Sequence, residues 1–221
     1  MVLSHCRTIT ENVVNMFDQY LRRLIDPPLD IIGKRVAAYG ITANIITIIG
    51  FVLGLIALVL ISFKQYNAAI FFICLNRLFD GIDGAVARHS KLTDFGGFLD
   101  IVCDFIIYSG VVFAFALGHP NSHLYAAFLI FSFIGPISSF LAYATIAAKK
   151  QISSTRRGKK SFYYLGGICE GTETTIVLLL FCIIPEYFNV ICLIYGVMCW
   201  LTTVGRVYSA WNDFGRSPQL P

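Results

Sequence analysis

Residues 42–63, TANIITIIGFVLGLIALVLISF, run without a single charge. A helix needs about 20 predominantly apolar residues to cross the hydrocarbon of a bilayer. No water-soluble surface helix is apolar all the way round, so this run must lie in lipid or in the core of a bundle. Five further stretches read the same way, at about 67–88, 95–117, 123–148, 171–185 and 187–208. Only 14% of the chain is charged and 57% is hydrophobic, against about 25% charged in a soluble domain. The expectation is an all-α, polytopic membrane protein with six transmembrane helices.

Lysine and arginine alternate between the loops. Arg7, Arg22, Arg23, Lys34 and Arg35 precede the first span. Arg88 and Lys91 fall in the second loop. Lys149, Lys150, Arg156, Arg157, Lys159 and Lys160 fall in the fourth, and Arg206 and Arg216 near the end. The opposite side receives only Lys64. The positive-inside rule then puts both termini in the cytoplasm, as an even span count requires. The start, MVLSHCRTITENVV, lacks a basic stretch followed by an apolar one, so the first span is expected to remain in place.

Three regions follow: an N-terminal interfacial arm at 1–40, a membrane domain at 41–210 and a tail at 211–221. In the arm, Val13, Val14, Phe17, Tyr20, Leu21, Leu24 and Ile25 recur at helical spacing beside Arg22 and Arg23. This is the pattern of an amphipathic helix lying in the membrane surface, and Pro27-Pro28 is expected to end it. A helix that binds a soluble partner is the alternative. Gly50 and Gly54 form a GxxxG that predicts close helix packing. Pro136 is expected to kink the fourth span. The seven cysteines form no CxxC pair and are read as packing residues.

Two acidic pairs interrupt these apolar runs: Asp80 with Asp83, and Asp100 with Asp104. Each aspartate at the centre of a span costs roughly 2.5–3.5 kcal/mol. Spacings of three and four put each pair on one helix face. The two helices are antiparallel and joined by a short polar stretch, so both pairs fall in the cytoplasmic half and can converge. Gly81, Gly84, Ala85, Ala87, Gly96 and Gly97 thin the helices around them. Carboxylate oxygens without histidine select Mg²⁺ or Mn²⁺ over zinc, and four of them can hold two ions. Arg88, at the mouth, suits phosphate oxygens. Paired cations beside an arginine point to a diphosphate substrate.

In order, the residues read Asp80-x2-Asp83-Gly84-x2-Ala87-Arg88-x7-Gly96-x3-Asp100-x3-Asp104. This closely resembles the signature of the CDP-alcohol phosphotransferase family. Ile41-Thr42-Ala43-Asn44 resembles that family's entry motif to the first span, with Ala43 in place of proline. The resemblance implies a divalent-metal-dependent membrane enzyme of phospholipid biosynthesis. It would move a phosphatidyl group from CDP-diacylglycerol to a hydroxyl acceptor and release CMP. It implies Asp80, Asp83, Asp100 and Asp104 as metal ligands and Asp104 also as the catalytic base. Asn44, Gly84, Ala87, Arg88 and Gly96 would contact the nucleotide and diphosphate, and Thr42 would cap its helix. The resemblance also suggests a homodimer; no nucleic-acid partner is expected.

Two other readings stay open. Intramembrane acids also serve ion or proton transport, and the chain could bind a CDP-lipid without turning it over. The acceptor is open too. The basic run at 149–160 could meet a phosphorylated acceptor or anionic lipid heads. Glu170 and Glu173 could face an amine or polyol, or pair with that run. Tyr163 and Tyr164 could anchor the interface or box a choline-like cation. Arg77, inside a span, could pair with Asp80 one turn away.

Overall fold

The computed structural model describes residues 26–90, 92–149, 169 and 171–215. The arm's apolar stripe at 13–25, Lys91, residues 150–160, Tyr163, Tyr164, Glu170 and Arg216 lie outside these. All regular structure among the described residues is helical. Helix α1 covers 26–38, followed by α2 (Ala43–Ser62), α3 (Tyr66–His89) and α4 (Asp94–Gly118). Then come α5 (His123–Lys149), α6 (Gly171–Ile183) and α7 (Phe188–Phe214). Single 3-10 turns, Pro120–Ser122 and Pro185–Tyr187, lead into α5 and α7.

Local chemistry sets these limits. Gly40 takes φ 77°, a left-handed value that costs glycine little, and lets the chain turn out of α1. Thr42 sits at the N-cap of α2 with extended backbone, but its side chain makes no capping bond. Thr93 does cap α4, accepting from the Gly96 amide at 3.0 Å. Pro27 and Pro28 lie within α1, and the stripe they were expected to end falls outside the described residues. Proline's fixed φ suits a helix, and only its missing N–H is lost. Helix α7 runs six residues past the expected end at 208, because nothing in SAWNDF breaks it before Gly215.

Among the described residues, four segments are long and apolar enough to cross a membrane: α2, α4, the run 120–149 and the run 185–214. Helix α3 has the length, with 24 residues, but carries Arg77, Asp80, Asp83 and Arg88. The described residues of α6 number 13, roughly 20 Å at 1.5 Å per residue. Outward faces are aliphatic: Ile45, Ile49, Val52 and Val59 on α2, Val190, Ile194, Val197 and Val204 on α7.

The α2, α3 and α4 helices pack as a trio. A Cβ on Gly50 would come 3.0 Å from Phe79 Cβ, and one on Gly54 2.5 Å from Ile107 Cδ1. The GxxxG face is therefore what brings α2 against both partners. Helix α1 lies as closely on α3: a Cβ on Gly33 would meet Ala85 Cβ at 2.6 Å. Helices α5 and α7 form a second pair, and α6 bridges to α3, α4 and α7. Phe115, fully buried, stacks on Tyr66 at 5.4 Å and Phe188 at 4.8 Å, and meets Phe181 at 5.6 Å. That aromatic knot ties α3, α4, α6 and α7 together at the end of the bundle away from the acids.

Arg206 is not a loop charge. It is 8% exposed, donates from Nη1 to the Pro136 carbonyl at 2.8 Å and lies 5.8 Å from the Phe140 ring centroid. Helix α5 continues through Pro136. The cysteines of α6 and α7 (Cys182, Cys192, Cys199) are buried and free, as is Cys169.

Candidate active site

Helix α3 contributes Asp80 and Asp83; α4, running back from Thr93, contributes Asp100 and Asp104. Asp80 lies 14 residues into α3, and Asp100 six residues into α4. Both acidic pairs therefore sit toward the end of the trio where the 89–94 connection joins the two helices. One oxygen from each of Asp80, Asp83 and Asp100 lies within 4.8 Å of the others. Oxygens around Mg²⁺ stand roughly 2.1 Å from the ion, hence up to roughly 4.2 Å apart across it. The trio is a side-chain adjustment away from that geometry, and every donor in it is a hard oxygen. These residues fit a divalent ion of the Mg²⁺ or Mn²⁺ kind.

The cleft around them is lined by Thr47, Gly50, Phe51, Asn76, Arg77, Asp80, Asp83, Asp100, Cys103 and Asp104. Four carboxylates face one guanidinium there, so three formal negative charges await a cation. Asp83 is the most enclosed of the four, 6% exposed, and accepts from the Thr47 hydroxyl at 2.6 Å. That bond fixes one carboxylate oxygen and turns the side chain toward the trio.

Asp104 behaves differently. Arg77 Nη2 donates to its Oδ1 at 2.7 Å, and the Tyr108 hydroxyl donates to its Oδ2 at 3.2 Å. The three-acid group does not include it. Arg77 prefers Asp104 on the neighbouring helix to Asp80 one turn away, whose Oδ2 stands 3.7 Å off.

The other sequence-predicted residues do not line this cleft; Gly84, Ala87 and Arg88 lie toward the end of α3, Gly96 at the start of α4 and Asn44 at the start of α2. Asn44 Oδ1 lies over Gly96, where an added Cβ would come 2.9 Å from it. A Cβ added at Gly84 would stand in ordinary contact with Arg88 Nη1, at 3.8 Å, and Ala87 is half-buried. Arg88 is half-exposed, its Nε 3.4 Å from Asp30 Oδ1 on α1, and His89 Nε2 stands 2.9 Å from Asp30 Oδ2. The hydrogen bond with His89, then the neighbouring charges, hold the Asp30 carboxyl below the usual carboxylate range against a smaller desolvation.

Three residues of the site escaped the sequence reading, Thr47, Asn76 and Tyr108; Arg77 makes the expected contact with Asp80 at 3.7 Å and a second, closer one with Asp104 at 2.7 Å. The signal was helical spacing. Thr47 lies three residues past Asn44, Tyr108 four past Asp104, and Arg77 three before Asp80.

A profile of the CDP-alcohol phosphatidyltransferase family matches residues 40–208. The inner membrane protein YnjF of Escherichia coli is 46% identical over 197 residues, which are 89% of this chain and 96% of that protein. An archaetidylinositol phosphate synthase of Pyrococcus horikoshii is 30% identical over 86% of this chain and 94% of its own length. Among solved structures, the phosphatidylinositol phosphate synthase of Mycobacterium tuberculosis with CDP-DAG bound superposes with a TM-score of 0.68. It is 21% identical, with 87% of this chain and 98% of that one covered. The same enzyme with manganese and citrate gives a TM-score of 0.66, at 21% identity over 87% of this chain and 93% of that one. The apolar helices and the inner-membrane relative make this an integral membrane protein. By profile, by relatives and by the acid-lined cleft, the chain belongs to the CDP-alcohol phosphatidyltransferase family.

Proposed function

We propose that this chain transfers a phosphatidyl group from CDP-diacylglycerol to a hydroxyl of a phosphorylated polyol, of the inositol phosphate class, and releases CMP. The observation that carries the reading is the convergence of Asp80, Asp83 and Asp100 within 4.8 Å while Asp104 is held beside them by Arg77. The archaeal and mycobacterial inositol phosphate lipid synthases support the acceptor class, and the CDP-DAG bound to the mycobacterial enzyme supports the donor.

Asp80, Asp83 and Asp100 hold the divalent cations, with Thr47 fixing Asp83. Bound there, the cations neutralise the diphosphate, polarise phosphorus and ease departure of the leaving phosphate. Asp104 accepts the proton from the acceptor hydroxyl, whose oxygen attacks the phosphorus nearest diacylglycerol. The bond to the CMP phosphate breaks. Arg88 turns from Asp30 to the diphosphate, Gly84 and Ala87 form a wall for the nucleotide, and Asn44 and Gly96 close its pocket.

All six helices α2 to α7 cross the bilayer in this reading. The charges of α3 that lie deepest face the cleft, where Arg77 and Asp83 are enclosed by α2 and α4 and away from lipid. The acidic pairs lie toward the end of α3 that carries Arg88, and by the positive-inside rule that end faces the cytoplasm in this reading, with both termini on the same side.

The test uses purified protein in liposomes with labelled CDP-diacylglycerol, Mn²⁺ or Mg²⁺, and a panel of acceptors. Inositol phosphate, glycerol 3-phosphate, inositol, serine and choline cover the chemistries. CMP release that depends on a phosphorylated polyol and vanishes in Asp104→Asn is expected. Ion flux without nucleotide, or CDP-lipid binding without turnover under every acceptor, would sink it.

A further inference from the structure

The fold brings two thiols into contact between α6 and α7. Cys169 lies two residues before α6 and Cys199 within α7, and they are 8% and 1% exposed. Their thiols are hydrogen-bonded to each other. The backbone is held as well, because the Cys169 amide donates to Thr202 Oγ1 at 3.2 Å. Thr202 lies three residues past Cys199 and so shares its face of α7. One turn before Cys199, the Tyr195 hydroxyl meets that of Thr174, on α6, at 2.8 Å. Backbone and sulfur of Cys169 are thus both fastened to one stretch of α7. The place borders the acid cleft. Gly171 opens α6, and a Cβ added there would stand 3.6 Å from the Tyr108 hydroxyl, which donates to Asp104 Oδ2.

We propose that Cys169 and Cys199 are a reversible oxidation site, a dithiol that a peroxide converts into a disulfide stapling the entrance of α6 to α7. A disulfide needs the sulfurs at about 2.05 Å, and a hydrogen-bonded pair reaches that distance by turning side chains. The step balances in two stages. The sulfur of Cys169, the more exposed of the two, takes one oxygen from hydrogen peroxide and becomes a sulfenic acid, and the other oxygen leaves as water. The sulfur of Cys199 then bonds to that of Cys169, and the sulfenic hydroxyl departs with the thiol proton as a second water. Sulfur has lost two electrons and the peroxide has gained them. A small dithiol reverses the bond by exchange.

The experiment treats the full-length native chain in detergent with hydrogen peroxide, blocks the remaining thiols with a maleimide, digests without reductant and reads the peptides by mass spectrometry. The peptides that contain Cys169 and Cys199 are expected to run as one linked species, two hydrogens lighter than their sum, and to separate with dithiothreitol. Cys74 and Cys103 should carry the maleimide instead. The oxidised chain should melt about 5 °C higher than the reduced one, since the bond closes the loop from 169 to 199 in the unfolded state. Cys199→Ala should abolish both the link and the rise. The native-chain measurement decides the matter alone if that variant does not fold.

Maleimide on both Cys169 and Cys199 after peroxide would overturn the proposal, as would Cys169 found only as sulfinic acid. A link from either residue to a different cysteine, or between two chains, would overturn it too. So would a linked chain that melts no higher than the reduced one, because the bond would then not be a staple.

Discussion

Arg77 and Arg206 are both arginines buried within apolar helices, and their surroundings give them opposite uses. Arg77 faces carboxylates from two helices and lies in the cleft wall. Arg206 donates to the backbone carbonyl of Pro136 and covers the Phe140 ring, in the α5 and α7 pair. Proline cannot donate an N–H, so the α5 ladder is weakened at that point, and a cation from α7 clamps it there. The difference is one of competition. A carboxylate can exchange an arginine for a metal ion, so the Arg77 contact can be rearranged by a ligand. A backbone carbonyl inside a helix has no such alternative, so the Arg206 contact holds the bundle together.

This contrast can be broken at several points. Asp104→Asn should act most strongly, lowering transfer by about 10²–10⁴-fold while Mn²⁺ binding to the remaining trio persists, as measured by calorimetry. If transfer survived, Asp104 would not be the base and the Arg77 contact would be incidental. Arg206→Met should leave the Mn²⁺ titration unchanged but destabilise the fold by about 1.5–3 kcal/mol, the range for a hydrogen bond to a charged group. A denaturant-detergent titration measures this. An altered Mn²⁺ affinity with unaltered stability would erase the distinction between the two arginines.

Thr47→Val removes the bond to Asp83 with little change of shape. It should weaken Mn²⁺ binding by about ten-fold without affecting the Arg77 network. The smallest effects lie at the α1 contact. Asp30→Asn should free Arg88 and His89 and change KM for CDP-diacylglycerol slightly, with kcat unchanged. Because the Asp30 carboxyl is held below its ordinary value, its contribution is present above the usual carboxylate range. It is lost as pH falls through its folded value. The acid side of a thermal-stability profile should therefore be flatter in Asp30→Asn.

Much of the bundle was legible in advance. The expected spans at 67–88, 95–117 and 123–148 coincide within a residue or so with α3, α4 and α5, because apolar runs and their polar joints are local properties. Among the described residues four helices meet the length and apolarity of a span by themselves; α3 falls short because of the charges that make the site, and the described part of α6 because of its length. The approach of the four acids was also foreseeable, since spacings of three and four on antiparallel neighbours leave few alternatives. The helical placement of Pro27 and Pro28 within α1 was not, because proline's fixed φ is compatible with the first turn of a helix.

The sequence by itself determined the membrane class, the helices and the chemical identity of the acids, since hydropathy, periodicity and side-chain type need no neighbours. Only the tertiary structure decided which acid stands apart from the trio, and which partner each buried arginine takes. An i,i+3 pair such as Arg77 with Asp80 can be written down from the chain. That Asp104 is the closer of its two partners depends on how closely α2, α3 and α4 approach at Gly50 and Gly54.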